Sequence, residues 1–185
     1  MYFKNHLFII FILYSTTVYS ADFRGFKIES AQGEFVNDIF TVNANIEYQF
    51  NDEVKKALDH GIPLQIDIEL KLYKERNWLW DAKISSRIYS FRIEQHPLSN
   101  HYLVTDLHTY NQFHFQNFPA ALDYIETVKK LPLVHREKLD PGKSYKAYIR
   151  TKLNLEELPA PLRPKAYFSP QWRLISQAYE WPIKL

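Results

Sequence analysis

The sequence predicts a mainly β chain: a single antiparallel β-sandwich, immunoglobulin-like in general architecture, with about eight or nine strands and two short helices. Three alternating runs predict it. Phe40 to Phe50 places Phe40, Val42, Ala44, Ile46, Tyr48 and Phe50 on one face and Thr41, Asn43, Asn45, Glu47 and Gln49 on the other. Leu64 to Tyr73 repeats the pattern, with Leu64, Ile66, Ile68, Leu70 and Leu72 against Gln65, Asp67, Glu69, Lys71 and Tyr73. Tyr145 to Leu153 does so a third time. A period of two with one apolar face is the mark of a strand that is half buried in an antiparallel sheet.

Residues 1–20 read as an address. Lys4 and His6 precede an apolar run from Leu7 to Leu13 that continues to Val18, and Val18-Tyr19-Ser20 before Ala21 is a small-residue cleavage site. This is the three-part layout of a secretory signal peptide, and the run is shorter than the ~20 residues that span a bilayer. The expected arrangement is a leader at 1–20 and one β-sandwich domain at 21–185, located in the periplasm. An uncleaved leader would instead anchor the domain to the inner membrane.

Between the first two strands, Asn51 or Asp52 can cap a short helix whose Val54, Ala57 and Leu58 share a face, and Gly61 and Pro63 end it. The run from Ala82 to Ile93 changes phase, because Ala82 and Ile84 alternate out of step with Tyr89, Phe91 and Ile93. One extra residue near Ser86 to Ile88, a β-bulge, accounts for this. Tyr102 to Tyr110 reads as a weaker strand. Phe118, Leu122, Ile125 and Val128 recur at helical spacing behind Asn117, which predicts a helix over 118–130. Asp140-Pro141-Gly142 is a turn signal, Leu158 to Pro164 an extended connector, and Trp172 to Trp181 a final strand.

Composition removes several function classes. Lys and Arg number 23 and Asp and Glu 21, so the net charge of +2 supplies no field for nucleic acid or an anionic membrane. No cysteine is present, which excludes disulfides, thiolate metal sites, iron–sulfur clusters, cysteine nucleophiles and a lipidated cysteine. Four scattered glycines cannot form a phosphate cradle, and no Gly-x-Ser-x-Gly elbow occurs.

An ordered set of segments resembles the DUF4390 family, a proteobacterial exported domain of unknown function. The segments are Ala57-Leu58-Asp59-His60-Gly61-Ile62-Pro63-Leu64, Arg76-Asn77-Trp78-Leu79-Trp80, Tyr102-Leu103-Val104, Leu139 through Gly142 to Tyr145, Leu158-Pro159-Ala160-Pro161-Leu162 and Ser169-Pro170-Gln171-Trp172. The resemblance implies an exported protein, often encoded beside a nitrogen-regulation-type sensor kinase, and implies no catalytic residues.

The residues themselves offer three constellations. His96, His101, His108 and His114 fall close together, and imidazole is a common metal ligand. Two of them six apart on one strand would lie ~20 Å apart, too far to share an ion. Asp67 and Glu69 project to one side of a strand and could form an acid–base pair, but Gln65 and Lys71 share that face and favour a solvated surface. Phe, Tyr and Trp make up 16% of the chain. Trp78 and Trp80 stand two apart in a hairpin framed by Arg76 and Asp81, which suits either a contact platform or a plug for the sandwich mouth.

The expectation is a non-enzymatic interaction module of the bacterial envelope that contacts an envelope or inner-membrane protein through Arg76, Trp78 and Trp80, with Tyr102 as a weaker member. It would bind no nucleic acid, hold no cofactor or metal, and have no stable membrane insertion after leader cleavage. The alternative is a small-ligand or glycan binder that uses the same aromatics. A partner surface leaves the indoles on an exposed patch, whereas a ligand site sinks them in a pocket.

Overall fold

The computed structural model describes residues 25–183, apart from Asn77, Leu79 and Pro97. The predicted leader lies outside the described residues. Nine strands within them form two antiparallel sheets, one of three strands and one of six.

The small sheet starts with β1 (Phe26–Val36) and β2 (Ile39–Tyr48), joined by a two-residue turn at Asn37 and Asp38, both with positive φ. Two left-handed residues in succession give a turn whose twist matches its flanking strands, and Asn and Asp tolerate that conformation. Helix α1 (Asp52–Asp59) follows, and the Asn51 side chain accepts hydrogen bonds from the Glu53 and Val54 amides. Its Val54 and Leu58 are buried.

The large sheet takes β3 (Leu64–Lys74), β4 (Ala82–Gln95), β5 (Tyr102–Asp106) and β6 (Gln112–Phe115). Helix α2 (Phe118–Glu126) runs without a loop into β7 (Thr127–His135), an edge strand of the small sheet. β8 (Tyr145–Leu153) pairs with β3, helix α3 (Arg163–Phe168) follows, and β9 (Tyr179–Ile183) pairs with β8. The strand orders are β1-β2-β7 and β6-β5-β4-β3-β8-β9.

Apolar faces of both sheets supply one core. Phe26, Val42 and Ile46 from the small sheet join Ile66, Ile68, Leu70 and Ile149 from the large one. The layers are also tied by polar groups. The Tyr48 and Thr151 hydroxyls lie 3.5 Å apart, Ser85 Oγ donates to the Leu133 carbonyl at 2.7 Å, and the Tyr89 hydroxyl donates to the Pro132 carbonyl. Burial pushes the Tyr48 phenol far above its usual range, so it stays neutral. Among the described residues no helix is long and apolar enough to cross a membrane.

Several expected elements are corrected. The helix predicted over 118–130 ends at Glu126, because Pro132 cannot continue a helix and Lys130 takes a left-handed φ of 54°. The bulge in β4 sits at Ile84 rather than at Ser86 to Ile88, since Leu72 pairs with Ser85 and Tyr73 with Lys83. The strand expected over 102–110 stops at Asp106, whose carboxylate accepts from the His108 and Thr109 amides and turns the chain. The connector at 158–164 leads into a third helix, with Pro164 in its first turn. The final strand begins at Tyr179, and Trp172 instead lies in a 3-10 turn with its indole N–H donating to Glu53 Oε1 at 3.0 Å.

Candidate functional site

The Glu75–Asp81 connection joins the end of β3 to the start of β4. Its base is fixed three times. Lys74 Nζ lies 2.5 Å from Asp140 Oδ2, the Glu75 amide donates to the Ser144 carbonyl at 3.0 Å, and the Arg76 amide donates to Asp81 Oδ1 at 3.3 Å. The hydrogen bond and charge of Lys74 hold the Asp140 carboxyl below its ordinary pKa. The Asp140 amide in turn donates to the hydroxyl of the buried Tyr145. A shallow groove runs from Lys74 and Arg76 past Trp78 to Gly142 and Lys143.

On this fixed base Trp78 and Trp80 are 95% and 94% exposed. They do not plug the mouth of the sandwich, and neither is sunk in a pocket. Two large apolar side chains held in water beside an exposed Arg76 have the composition of a protein contact anchor.

Tyr102 is elsewhere. It begins β5 opposite Gln95, at the far end of β4 from Trp80, roughly 40 Å along the strand at ~3.3 Å per residue. It is buried, with its ring against Phe118 and its hydroxyl donating to Asp59 Oδ1 at 2.9 Å. Arg76, Trp78 and Trp80 share the β3–β4 connection, and Tyr102 stands apart from it.

The four histidines do not converge. His96 and His101 flank the β4–β5 turn, joined by their backbones at 2.9 Å; His108 packs edge-on against Tyr89, and His114 faces out from β6. Among the described residues no three His, Asp or Glu side chains gather as metal ligands. Asp67 and Glu69 do share a face, but each is already engaged. Asp67 is buried and accepts from Gln65 Nε2 at 3.0 Å, Ser90 Oγ at 2.7 Å and Asn154 Nδ2 at 2.7 Å. Glu69 loses solvent, which alone would raise its pKa, yet Lys71 at 2.8 Å and Arg150 at 2.9 Å hold it below the usual range. A carboxylate kept ionised between two cations is a poor proton donor at neutral pH.

Sequence reasoning missed a second feature, a cleft of about 650 Å³ between the edges of β4 and β7. Buried Leu133 and Val134 and half-buried Ile39 and Ile84 form its floor, and exposed Arg87, His135 and Lys138 stand at its rim. No Asp or Glu lines it. Its parts lie about fifty residues apart in the chain, so only the packing of two sheet edges assembles it.

The family model described as "Domain of unknown function (DUF4390)" matches residues 24–182. No curated protein and no solved structure matches the chain.

Proposed function

This chain belongs to the DUF4390 family, and from that premise we propose that it is an exported, periplasmic, non-enzymatic interaction module of the bacterial envelope that docks a protein partner through Arg76, Trp78 and Trp80. The exposure of both indoles on a braced hairpin end carries the reading. Free energy is gained when such rings leave water, and the braced base limits the entropy lost on docking. A small-ligand or glycan site would enclose the rings on several sides.

Export rests on the Lys4, apolar run and Val18-Tyr19-Ser20 pattern. The resemblance to a family encoded beside sensor kinases makes the exported segment of a membrane kinase the first partner to test. Envelope extract is passed over the tagged protein and over its Trp78→Ala/Trp80→Ala variant, with mass spectrometry of the protein's own N-terminus to locate the cleavage site. One membrane protein retained by the wild type and lost by the folded variant is the expected result. Equal recovery by both, or recovery of nothing alongside tight binding of a glycan, would sink the reading.

A further inference from the structure

Resting on the interaction-module reading, we infer that the free edge of β4 from Ala82 to Tyr89 takes an extended acidic segment of the partner protein as an additional strand, laid over the cleft beside β7. The edge is open because β5 pairs only with Phe91–Gln95. The Leu107 amide donates to the Ser90 carbonyl, so from Ser86 onward, past the bulge at Ile84, even-numbered residues of β4 turn their backbone groups toward the β5 side. By that alternation Ser86 and Ile88 present N–H and C=O groups outward, past the end of β5. Unpaired backbone of this kind is a template for one more strand.

The facing edge of β7 is closed by comparison. Pro132 has no N–H, and the Pro132 and Leu133 carbonyls are taken by Tyr89 and Ser85. Charge decides the occupant. Arg87, His135 and Lys138 rim the cleft without a carboxylate, and among the described residues neither Arg87 nor Lys138 has an ion-pair partner. An added strand would direct alternate side chains inward, where acidic groups meet the rim and apolar ones the floor. An acyl chain would leave the Ser86 and Ile88 backbone unpaired. The edge is also continuous with the hairpin end, since β4 begins two residues after Trp80. One partner can therefore be anchored on the indoles and paired along the strand.

The test uses the whole chain and a capped nonapeptide, Thr-Glu-Thr-Val-Thr-Glu-Thr-Val-Thr, with a Lys-for-Glu version and oleate as comparisons. Amide hydrogen exchange is read residue by residue. The Glu peptide should slow exchange at Ser86 and Ile88 at least tenfold, and the exposed-residue variant Arg87→Glu/Lys138→Glu should weaken its binding tenfold or more while unfolding at the wild-type temperature. Ile88→Pro, which removes an outward N–H without touching the β3 ladder, should weaken it similarly, whereas Trp78→Ala/Trp80→Ala should leave this short peptide's binding unchanged. Equal binding of the Lys peptide, displacement of the Glu peptide by oleate, protection that grows with protein concentration alone, or no protection at these two amides each overturns the proposal. A natural partner that depends on Trp78 and Trp80 yet ignores Arg87→Glu/Lys138→Glu overturns the strand pairing and leaves the interaction-module reading intact.

Discussion

The Tyr102 hydroxyl donates to Asp59 Oδ1 at 2.9 Å, joining the start of β5 to the last residue of α1. Asp59 also receives Lys55 Nζ at 2.7 Å. Desolvation acts to raise the Asp59 pKa, but the two donors outweigh it and leave it lowered. Desolvation and the bonded carboxylate push Tyr102 up to about 12. Tyr102→Phe should therefore cost about 1.5–3 kcal/mol in denaturant unfolding, the worth of a hydrogen bond to a charged acceptor, and leave partner binding unchanged.

The same pair sets a pH dependence. A lowered Asp59 pKa contributes stability that is complete above its unfolded value near 4 and fades as pH falls through the folded one. A raised Tyr102 pKa contributes stability that is complete below its unfolded value near 10 and fades as pH rises toward 12. Unfolding midpoints between pH 2 and 6 and between pH 9 and 12 should fall less steeply in Tyr102→Phe than in the wild type. Parallel slopes would show that this contact carries no linkage.

Gly33 pairs with Val42 in the β1–β2 hairpin, and the diagonal Phe40 ring lies over it, so that a Cβ placed on Gly33 would run into the Phe40 ring. The Phe40 ring is buried and stacks edge-on with Phe35, so it has little room to retreat. Gly33→Ala should destabilise by about 1–3 kcal/mol, the range for an overpacked core. On a Phe40→Leu background Gly33→Ala should cost less than it does in the wild type, measured as a non-additive double-mutant cycle.

That contact also explains why β1 was not individually legible in the sequence. Phe26 and Ile28 alternate correctly, but a bulge between Ile28 and Ser30 reverses the phase, and Gly33 occupies an inward position with no side chain to count. β2, β3 and β8 are legible because the extra residues in their pairings fall on the partner strands β1, β7 and β4, which leaves their own period-two runs intact. β7 was hidden by Val128, which continues the helical spacing of Phe118, Leu122 and Ile125 one step past the point where the backbone turns extended. For the site, sequence spacing brought Arg76, Trp78 and Trp80 together because they share one connection. Tyr102 could not be placed that way, since the 14-residue length of β4 separates it from them.

Asp67 is the acceptor for three side chains from three segments, β3, β4 and the turn after β8. Asp67→Ala would strand Ser90 and Asn154 without their acceptor in a largely dehydrated setting, costing about 2–3 kcal/mol. Gln65→Ala, which removes one of three donors from a less buried position, should cost under about 1 kcal/mol. Equal effects from the two substitutions in urea unfolding would mean that Asp67 is not the centre of the network.

Trp172 and the pair Trp78 and Trp80 should respond oppositely to the same substitution. Trp172 is 3% exposed and fastens the last 3-10 turn to α1 through Glu53, so Trp172→Ala should cost about 3–5 kcal/mol. Trp78→Ala/Trp80→Ala removes side chains that touch little of the folded body, and the unfolding free energy should move by less than about 0.5 kcal/mol. Iodide quenching separates the classes without a partner in hand: in the double variant the accessible part of the fluorescence should shrink to the share of half-buried Trp181, and emission from buried Trp172 should remain unquenched. A loss of several kcal/mol in the double variant would mean that the indoles are packed in solution, and the contact surface would have to be sought along the β4 edge alone.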